Sequence, residues 1–314
     1  MLLNQLAAEL CDRLIADAER LRVGVVRRDD GGVTLDCGVE AAGGLEAGRR
    51  LAEVCLAGLG EVSFVPSPRD IWPGVAVAVR TDHPVAACMA SQYAGWQVTG
   101  KDYFAMASGP MRAAHGKEDL FQRIGHVEQA EMAVGVLEAR KLPPDEVCRD
   151  IAERAGVWPH RLTLLVAPTA SLAGTVQVVA RSVETALHKL LELDFDLARV
   201  VSGYGVAPLP PVAADDLAGI GRTNDAILYG GEVTLWVRGD DETLRDLGPR
   251  VPSSASRDHG QPFAAIFDRY DRDFYKIDPH LFSPAVVTLI NVDTGRSFRF
   301  GQTLPDVLRK SFEE

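Results

Sequence analysis

Two oppositely charged residues three positions apart, Arg181 and Glu184, are the clearest candidates for chemistry in this 314-residue sequence. They lie in a segment, residues 169–195, whose apolar residues recur with the period of an α-helix. At about 100° per residue, one side of this helix is apolar and the other carries a narrow polar stripe of Gln177, Arg181, Glu184 and His188. Side chains at positions i and i+3 can contact each other or reach a shared ligand. The stripe therefore predicts either a catalytic pair at a cleft or an ordinary ion pair on a solvated helix face.

The start of the same predicted helix is rich in small residues, which are Ala170, Ser171, Ala173 and Gly174. Small side chains would let a flat ligand approach the first turn, where unpaired backbone N–H groups attract anions. The strand-like run RLTLLVAP (161–168) comes directly before them. This order places the candidate pair shortly after the carboxyl end of a buried strand.

Common cofactor and nucleophile motifs are absent from the sequence. Gly38 and Gly43 have the spacing of a phosphate loop, but no lysine follows them, and no GxGxxG opens a βαβ unit. The seven histidines are scattered without i, i+4 pairs, and the five cysteines are far apart with no CxxC. We therefore expect neither a metal site nor a nucleotide cofactor, and we expect the cysteines to be reduced.

The composition is that of an ordinary globular protein, with 46% apolar and 25% charged residues. A net charge of −11 opposes binding to a phosphate backbone. In the N-terminal 21 residues, leucines recur at the spacing of an amphipathic helix. The same segment lacks the cationic start of a signal peptide. Because no run approaches the ~20 apolar residues of a membrane span, we expect a cytoplasmic protein without nucleic-acid or membrane partners.

Strand-like and helical runs are interspersed along the chain, which predicts an α/β fold with some α+β character. Near the end, AVVTLINVDTGRSFRFGQ (285–302) predicts an antiparallel hairpin around its DTG turn, followed by a terminal helix. Two stretches rich in glycine, proline and other turn formers, 202–216 and 248–262, are interpreted as loops or linkers. The prolines of KLPPDE suggest a boundary between an N-terminal domain, 1–150, and a C-terminal domain, 151–314.

Several long phrases, in order over nearly the whole chain, resemble the methenyltetrahydromethanopterin cyclohydrolase family. They are DCGVEAAGGLEAG (36–48), TDHPVAACMASQYAGWQV (81–98), DYFAMASGP (102–110), LLVAPTASLAGTVQVVARSVETALHKL (164–190), GRTNDAILYGG (221–231) and FYKIDPHLFSPA (274–285). The resemblance implies two α/β domains with a pterin pocket between them, a homotrimer, no metal or other cofactor, and a catalytic arginine and glutamate on one helix. The matching residues here are Arg181 and Glu184.

The implied reaction interconverts 5,10-methenyltetrahydromethanopterin plus water with 5-formyltetrahydromethanopterin in one-carbon metabolism. Its cyclic amidinium is already electrophilic, so it requires neither a metal nor a covalent nucleophile. Our hypothesis is that Glu184 positions and deprotonates the attacking water. Arg181 would orient Glu184 and donate a hydrogen bond to the oxygen as it becomes a formyl carbonyl.

Further residues in or beside the matching phrases are candidates for binding the pterin or its polar tail: Glu40, Lys101, Phe104, Thr169, Ser171, Gln177, Asn224 and Asp225. For several of them a structural role is equally open. Asn224 and Asp225 are suited to the donor and acceptor edge of a pterin, but also to a turn or a helix cap. Phe104 is suited to stacking on a flat ring, but also to core packing, and Lys101 to a surface position.

Two other functions are compatible with the same residues. One is hydrolysis of another pterin or folate one-carbon derivative. The other is pterin binding without catalysis, against which the presence of both Arg181 and Glu184 argues.

Overall fold

A computed structural model describes residues 2–273 and 276–313 of the chain. Phe274 and Tyr275, which begin the last of the matching phrases, lie outside the described residues. The strands are β1 (Gly24–Arg27), β2 (Val33–Asp36), β3 (Gly60–Ser67), β4 (Gly74–Thr81), β5 (Trp96–Gly100), β6 (Tyr103–Ser108), β7 (Ala133–Glu138), β8 (Leu162–Ala167), β9 (Val200–Pro208), β10 (Glu232–Val237), β11 (Val286–Asn291) and β12 (Ser297–Gly301). The α-helices are α1 (Leu3–Ala16), α2 (Ala18–Leu21), α3 (Leu45–Cys55), α4 (Met111–His115), α5 (Asp119–Ile124), α6 (Asp145–Ala155), α7 (Leu172–Val179), α8 (Ser182–Glu192), α9 (Asp216–Gly230), α10 (Asp241–Leu247), α11 (Phe263–Arg269) and α12 (Pro305–Glu313). Residues Val85–Gln92 form a π-helix.

The chain divides into two compact units, each made of two stretches of sequence. The first unit comprises residues 1–61 and 86–177, and the second comprises residues 62–85 and 178–314. This division differs from the predicted boundary at residue 150. Strand β8 belongs to the first unit because it pairs with β2 and β7, and residues 62–85 belong to the second because β4 pairs with β9.

The sheet of the first unit has the strand order β1-β2-β8-β7-β6-β5. Its central strands β2, β8 and β7 are parallel, whereas β1, β5 and β6 are antiparallel to their neighbours. Strand β8 is buried on both faces. Leu162, Leu164 and Val166 pack against a cluster that includes α6, while Leu165 and Ala167 pack against one that includes α1 and α3. The continuous apolar run of β8 is the pattern expected for a central parallel strand.

The sheet of the second unit has the strand order β12-β11-β10-β9-β4-β3. Strands β10 and β11 are parallel, and β9 pairs antiparallel with both β10 and β4. Helices α8 and α9 pack on one face of this sheet, where Val233, Leu235 and Leu289 are buried. The two mixed sheets with their helices confirm the predicted α/β class. The antiparallel pairing of β11 with β12 confirms the predicted C-terminal hairpin.

The predicted helix over residues 169–195 is wrong in one respect, because it is two helices. Helix α7 ends at Val179 and α8 begins at Ser182. Between them Arg181 has φ −88° and ψ 9°, and its N–H donates to the carbonyl of Val178, which closes a tight turn. The start of α7 lies against α3 at Gly48 in the first unit, and α8 lies against β9 in the second.

Other loops and strands agree in part with the sequence prediction. Residues 202–208 of the first predicted loop belong to strand β9, in agreement with the strand-like run RVVSGYGVAP (199–208) that overlaps this loop. Residues 248–262 form a loop with short 3₁₀ turns, as expected. The hairpin of β5 and β6 was not predicted, because its two-residue turn, Lys101–Asp102, lacks the glycine that marks most such turns.

Helix α1 is anchored by two buried polar side chains of the first unit. The carboxylate of Glu128 accepts hydrogen bonds from the N–H groups of Leu3 (2.8 Å) and Asn4 (3.2 Å), which are orphan donors at the helix start. The side chain of Asn4 donates to the Pro110 carbonyl and accepts from the Val134 N–H, both at 2.9 Å. Asn4 thus joins α1 to β7 and to the start of α4.

We expect Asn4→Ala to lower the free energy of unfolding by about 2–4 kcal/mol, because it leaves a buried donor and a buried acceptor unpaired. Gln5→Ala, an exposed position on the same helix, is the matched control and should change it by less than about 0.5 kcal/mol. Urea unfolding monitored by circular dichroism measures both. Equal unfolding curves for the two variants would contradict the assigned role of Asn4.

Candidate functional site

Arg181 and Glu184 lie at the start of α8, in the second unit. Arg181 is the residue before the helix and Glu184 is in its first turn. Their side chains are nearly excluded from solvent, with 6% and 5% of their surface exposed, and both take part in polar interactions. This burial contradicts the alternative of an ion pair on a solvated face. Charged side chains are costly to bury without partners, so two of them in one turn mark a candidate functional site.

The first turn of α8 rests directly on the backbone of β9. A Cβ atom at Gly205 would lie 2.4 Å from Ser182 Oγ, and one at Gly203 would lie 2.7 Å from Val183 Cγ1. Both distances are too short for real atoms, so only glycine permits this approach. The two glycines therefore determine where the residues flanking Ser182 and Val183 are held. The position of Glu184 near the helix N-terminus also stabilises a negative charge.

In the first unit, several predicted site residues share one edge of the sheet. Pairing places Asp36, Val166, Leu137 and Ala107 side by side on β2, β8, β7 and β6. Beyond this row lie the carboxyl ends of the three parallel strands and, because β6 is antiparallel to β7, the beginning of β6. The edge therefore carries five predicted residues: Glu40 after β2, Thr169 and Ser171 after β8, and Lys101 and Phe104 at the β5–β6 turn. Ligands of open α/β sheets commonly bind at this edge.

The loop after β2 is held by the carboxylate of Asp36. Its two oxygens accept four backbone hydrogen bonds of 2.7–2.9 Å, from residues 38–41. The side chain of Glu40 is exposed at this loop. A Cβ atom at Gly38 would lie 2.8 Å from Ser171 Oγ, so the loop also packs closely against the segment after β8. Asp36 was not predicted, although an aspartate just before a glycine-rich turn is a known signal for side-chain capping of the turn.

Ser171 has a structural role in this arrangement. Its hydroxyl donates to the Pro168 carbonyl at 2.8 Å and accepts from the Gly174 N–H at 3.0 Å, which caps the start of α7. Thr169 is buried, and its carbonyl accepts a hydrogen bond from Thr175 Oγ1. In contrast, Lys101 lies in the exposed turn and Phe104 exposes 58% of its surface. The alternative that Phe104 packs in the core is therefore wrong.

Gln177 is on α7, four residues before Arg181, and only 1% of its surface is exposed. Its Nε2 lies 3.8 Å from the sulfur of Cys55, the last residue of α3. In the described part of the chain its Oε1 has no hydrogen-bond partner. Cys55 was not predicted, because nothing in the sequence relates it to a residue 122 positions away.

Asn224 and Asp225 lie on α9 and bond within the second unit. Asn224 Nδ2 donates to the Ile220 carbonyl of the same helix at 2.8 Å. Asp225 is completely buried, and its carboxylate accepts from the Phe263 N–H at 2.8 Å, which ties α9 to α11. Burial raises the pKa of Asp225 to about 7, although hydrogen bonds from Ser311 and Phe263 oppose the rise. These contacts give Asp225 a structural role, and pterin binding by either residue stays a prediction.

Neither a metal-binding cluster nor a membrane-spanning helix is present among the described residues, 2–273 and 276–313. No group of three or more His, Cys, Asp or Glu side chains is placed to hold a metal ion. No helix is long and apolar enough to cross a bilayer. A reaction without a metal or other cofactor stays a prediction.

Comparison with known proteins covers almost the whole chain. The model of the family described as Cyclohydrolase (MCH) matches residues 2–312. A methenyltetrahydromethanopterin cyclohydrolase of Rhodopirellula baltica is 53% identical over 90% of this chain and 86% of that protein. Proteins of the same name from Methylobacillus flagellatus, with 48% identity over 98% and 94%, and from the methanogen Methanococcoides burtonii, with 40% identity over 98% and 97%, are also similar.

The buried carboxyl group of Asp225 should make stability depend on pH. Its folded-state pKa, about 7, exceeds its ordinary value of 3.8, so between these pH values the folded state binds more protons than the unfolded state. The stability of the wild type should therefore fall as the pH rises through this window. Asp225→Asn keeps an acceptor for Phe263 and cannot ionise. As the pH rises from 4 to 8, we expect the free energy of unfolding of Asp225→Asn to increase by roughly 2–4 kcal/mol relative to that of the wild type.

Urea unfolding of both proteins at several pH values measures this difference. Asp246→Asn, at an exposed aspartate of α10, is the control and should track the wild type throughout. If the free energy of unfolding of Asp225→Asn also equalled that of the wild type at every pH, the buried carboxyl group would not cause the pH dependence of stability.

Proposed function

The chain belongs to the cyclohydrolase (MCH) family, and on this premise we propose that it interconverts 5,10-methenyltetrahydromethanopterin plus water with 5-formyltetrahydromethanopterin. Similarity over residues 2–312 to cyclohydrolases from both bacteria and a methanogen is the observation that carries this proposal. The buried arginine and glutamate at the start of α8 are consistent with it.

The proposed chemistry begins with attack of water on the methenyl carbon. The carbon lies between two nitrogens that share a positive charge, so it is electrophilic without further activation. Glu184 accepts a proton from the water as the new C–O bond forms, and the product is a neutral tetrahedral adduct. One C–N bond of the adduct then breaks, its nitrogen takes up a proton, and the hydroxyl group loses its proton to become the formyl oxygen. The balance is one water consumed and one proton released.

Glu184 suits the role of base for two reasons. Its negative charge favours a cationic substrate, and that attraction is strong where water is largely excluded. The partial positive charge of the helix N-terminus also stabilises a negative charge on its carboxylate. After the first step, its captured proton is available for the nitrogen that leaves in the second.

Arg181 suits the role of electrostatic support. A guanidinium keeps its charge and has five N–H donors in a rigid plane. In the proposed mechanism it orients the Glu184 carboxylate and donates to the oxygen as the formyl carbonyl forms. Such a preorganised donor in a dry site contributes several kcal/mol to many enzymes.

The shared edge of the first sheet supplies groups that suit a reduced pterin and its polar tail. The exposed ring of Phe104 offers a flat apolar surface for stacking, and Lys101 offers a cation. The carboxylate of Glu40 offers an acceptor for ring N–H groups. Ser171 and Thr169 act mainly through the backbone geometry that they maintain after β8.

Family resemblance also leads us to propose a homotrimer in the cytoplasm. Size-exclusion chromatography with light scattering tests the trimer, and a mass close to three times 33.9 kDa is expected. A monomeric mass would overturn this part of the proposal and leave the reaction untouched.

The reaction itself is tested by the loss of the methenyl absorbance when purified protein is added. We expect turnover with methenyltetrahydromethanopterin and at least a hundredfold lower kcat/KM with methenyltetrahydrofolate. The reverse preference would indicate a folate enzyme. Saturable binding of the pterin without turnover would indicate a non-catalytic binding protein.

The catalytic assignment predicts large effects at two positions. Glu184→Gln should lower kcat by about 10²–10⁴ and Arg181→Gln by about 10²–10³, because each removes an interaction with the reacting atoms. Glu192→Gln, at a more exposed glutamate of the same helix, is the matched control and should retain near-wild-type kcat. If folded Glu184→Gln and Arg181→Gln proteins also retained it, the assignment would be overturned.

A further inference from the structure

A buried polar cluster in the first unit surrounds the thiol of Cys55. Cys55 and Ser108 are completely buried, and Gln177 almost completely. The sulfur lies 3.3 Å from Ser108 Oγ, 3.8 Å from Gln177 Nε2 and 4.0 Å from the Gln92 carbonyl oxygen. The cluster joins the ends of α3, β6 and the π-helix to the last turn of α7.

We propose that Cys55, supported by Ser108, is a positioning residue that orients the amide of Gln177 so that its carbonyl oxygen accepts a hydrogen bond from an N–H group of the pterin. This inference rests on the proposed function and names one polar contact of its substrate. It adds two residues, Cys55 and Ser108, that act through Gln177 and do not touch the substrate.

The direction of the hydrogen bonds follows from the single proton of the thiol. The S–H group donates to the carbonyl of Gln92, which has no proton of its own to offer. The sulfur is then left only with lone pairs toward its other neighbours. Gln177 N–H donates to it as a weak hydrogen bond, and Ser108 Oγ is in contact with it at 3.3 Å. The NH₂ group of Gln177 therefore faces the sulfur, and Oε1 faces away from it.

Two hydrogen bonds hold the backbone on which the Cys55 thiol is carried. The hydroxyl of Ser91 donates to the Cys55 carbonyl at 2.6 Å, and the N–H of Gly109, next to Ser108, donates to the Ser91 carbonyl at 2.8 Å. These bonds fix the end of α3 relative to the end of β6. The Cys55 sulfur, which contacts the amide of Gln177, is therefore carried by a fixed backbone.

The Oε1 atom of Gln177 is buried and has no partner in the described part of the chain. A buried acceptor without a donor costs free energy, and a donor that arrives with a ligand would offset this cost. A reduced pterin has ring N–H and amino groups, which are donors of the required kind. If the amide were rotated by 180°, it would offer the substrate a second donor and lose this match.

The test compares substitutions at Cys55 and Gln177 in steady-state assays with methenyltetrahydromethanopterin. We expect Cys55→Ala and Gln177→Met each to raise KM about tenfold and to change kcat less than about threefold, because each costs one hydrogen bond to the substrate. Cys55→Ser keeps a donor and an acceptor and should recover most of the affinity. Ser108→Ala removes the hydroxyl that contacts the Cys55 sulfur and should raise KM about threefold.

A double-mutant cycle separates positioning from simple packing. If Cys55 acts through Gln177, then adding Cys55→Ala to Gln177→Met should raise KM no further. Cys148→Ala, at a buried cysteine whose sulfur bonds only to the Pro143 carbonyl among the described residues, is the control for loss of a core thiol and should leave KM unchanged.

The outcomes are distinct. Independent, multiplicative effects of the two substitutions, or equal effects of Cys55→Ala and Cys148→Ala, would overturn the positioning role while the wild type still turned over. An inactive wild type would overturn the proposed function, and this inference with it.

Discussion

The arrangement of the candidate catalytic residues depends on the close approach of α8 to the backbone of β9. Gly203 and Gly205 present no side chain to Ser182 and Val183, so the first turn of the helix rests on the strand itself. A methyl group at either position would move the turn outward, and the two residues flanking that contact, Arg181 and Glu184, would move with it. Displacements of about 1 Å at such positions are enough to impair catalysis. The small residues of the sheet thus act on the chemistry without containing any reactive group.

Much of the fold follows from periodicity in the sequence. The amphipathic start, the buried run of β8 and the DTG hairpin each have a pattern with one physical interpretation, and each is present in the structure. The π-helix has no such pattern. The residues WQVTG of β5 do alternate between apolar and polar, but the turn that follows them lacks the glycine of most tight hairpins. Which residues belong to which unit is harder still to predict, since each unit is made of two stretches that are distant in sequence.

The division between α7 and α8 shows why a helical pattern can continue through a break. The turn at Arg181 closes with a bond from residue 181 to residue 178, so it advances the chain nearly as a helix would. Apolar residues on both sides therefore keep their period, and neither proline nor glycine marks the position. The break arises because α7 packs on Gly48 of α3 and α8 on β9, a tertiary cause that local sequence does not contain. Resemblance to a family points to Arg181 and Glu184 at this turn, whereas their burial is visible only in the structure.

The supporting polar residues are the part of the site that the sequence prediction missed. Asp36 has a local signal, the glycine-rich turn that follows it, but Cys55 and Ser108 have none, and Cys55 meets Gln177 across 122 positions. Their importance follows from the chemistry. Because the proposed substrate is already an electrophile, the protein needs one base and one fixed positive charge, and most of the remaining requirement is to hold a flat polar molecule in one orientation. That requirement falls on hydrogen bonds such as the four that the buried carboxylate of Asp36 accepts from the loop bearing Glu40. They hold the loop in place because losing them would leave a buried charge without partners.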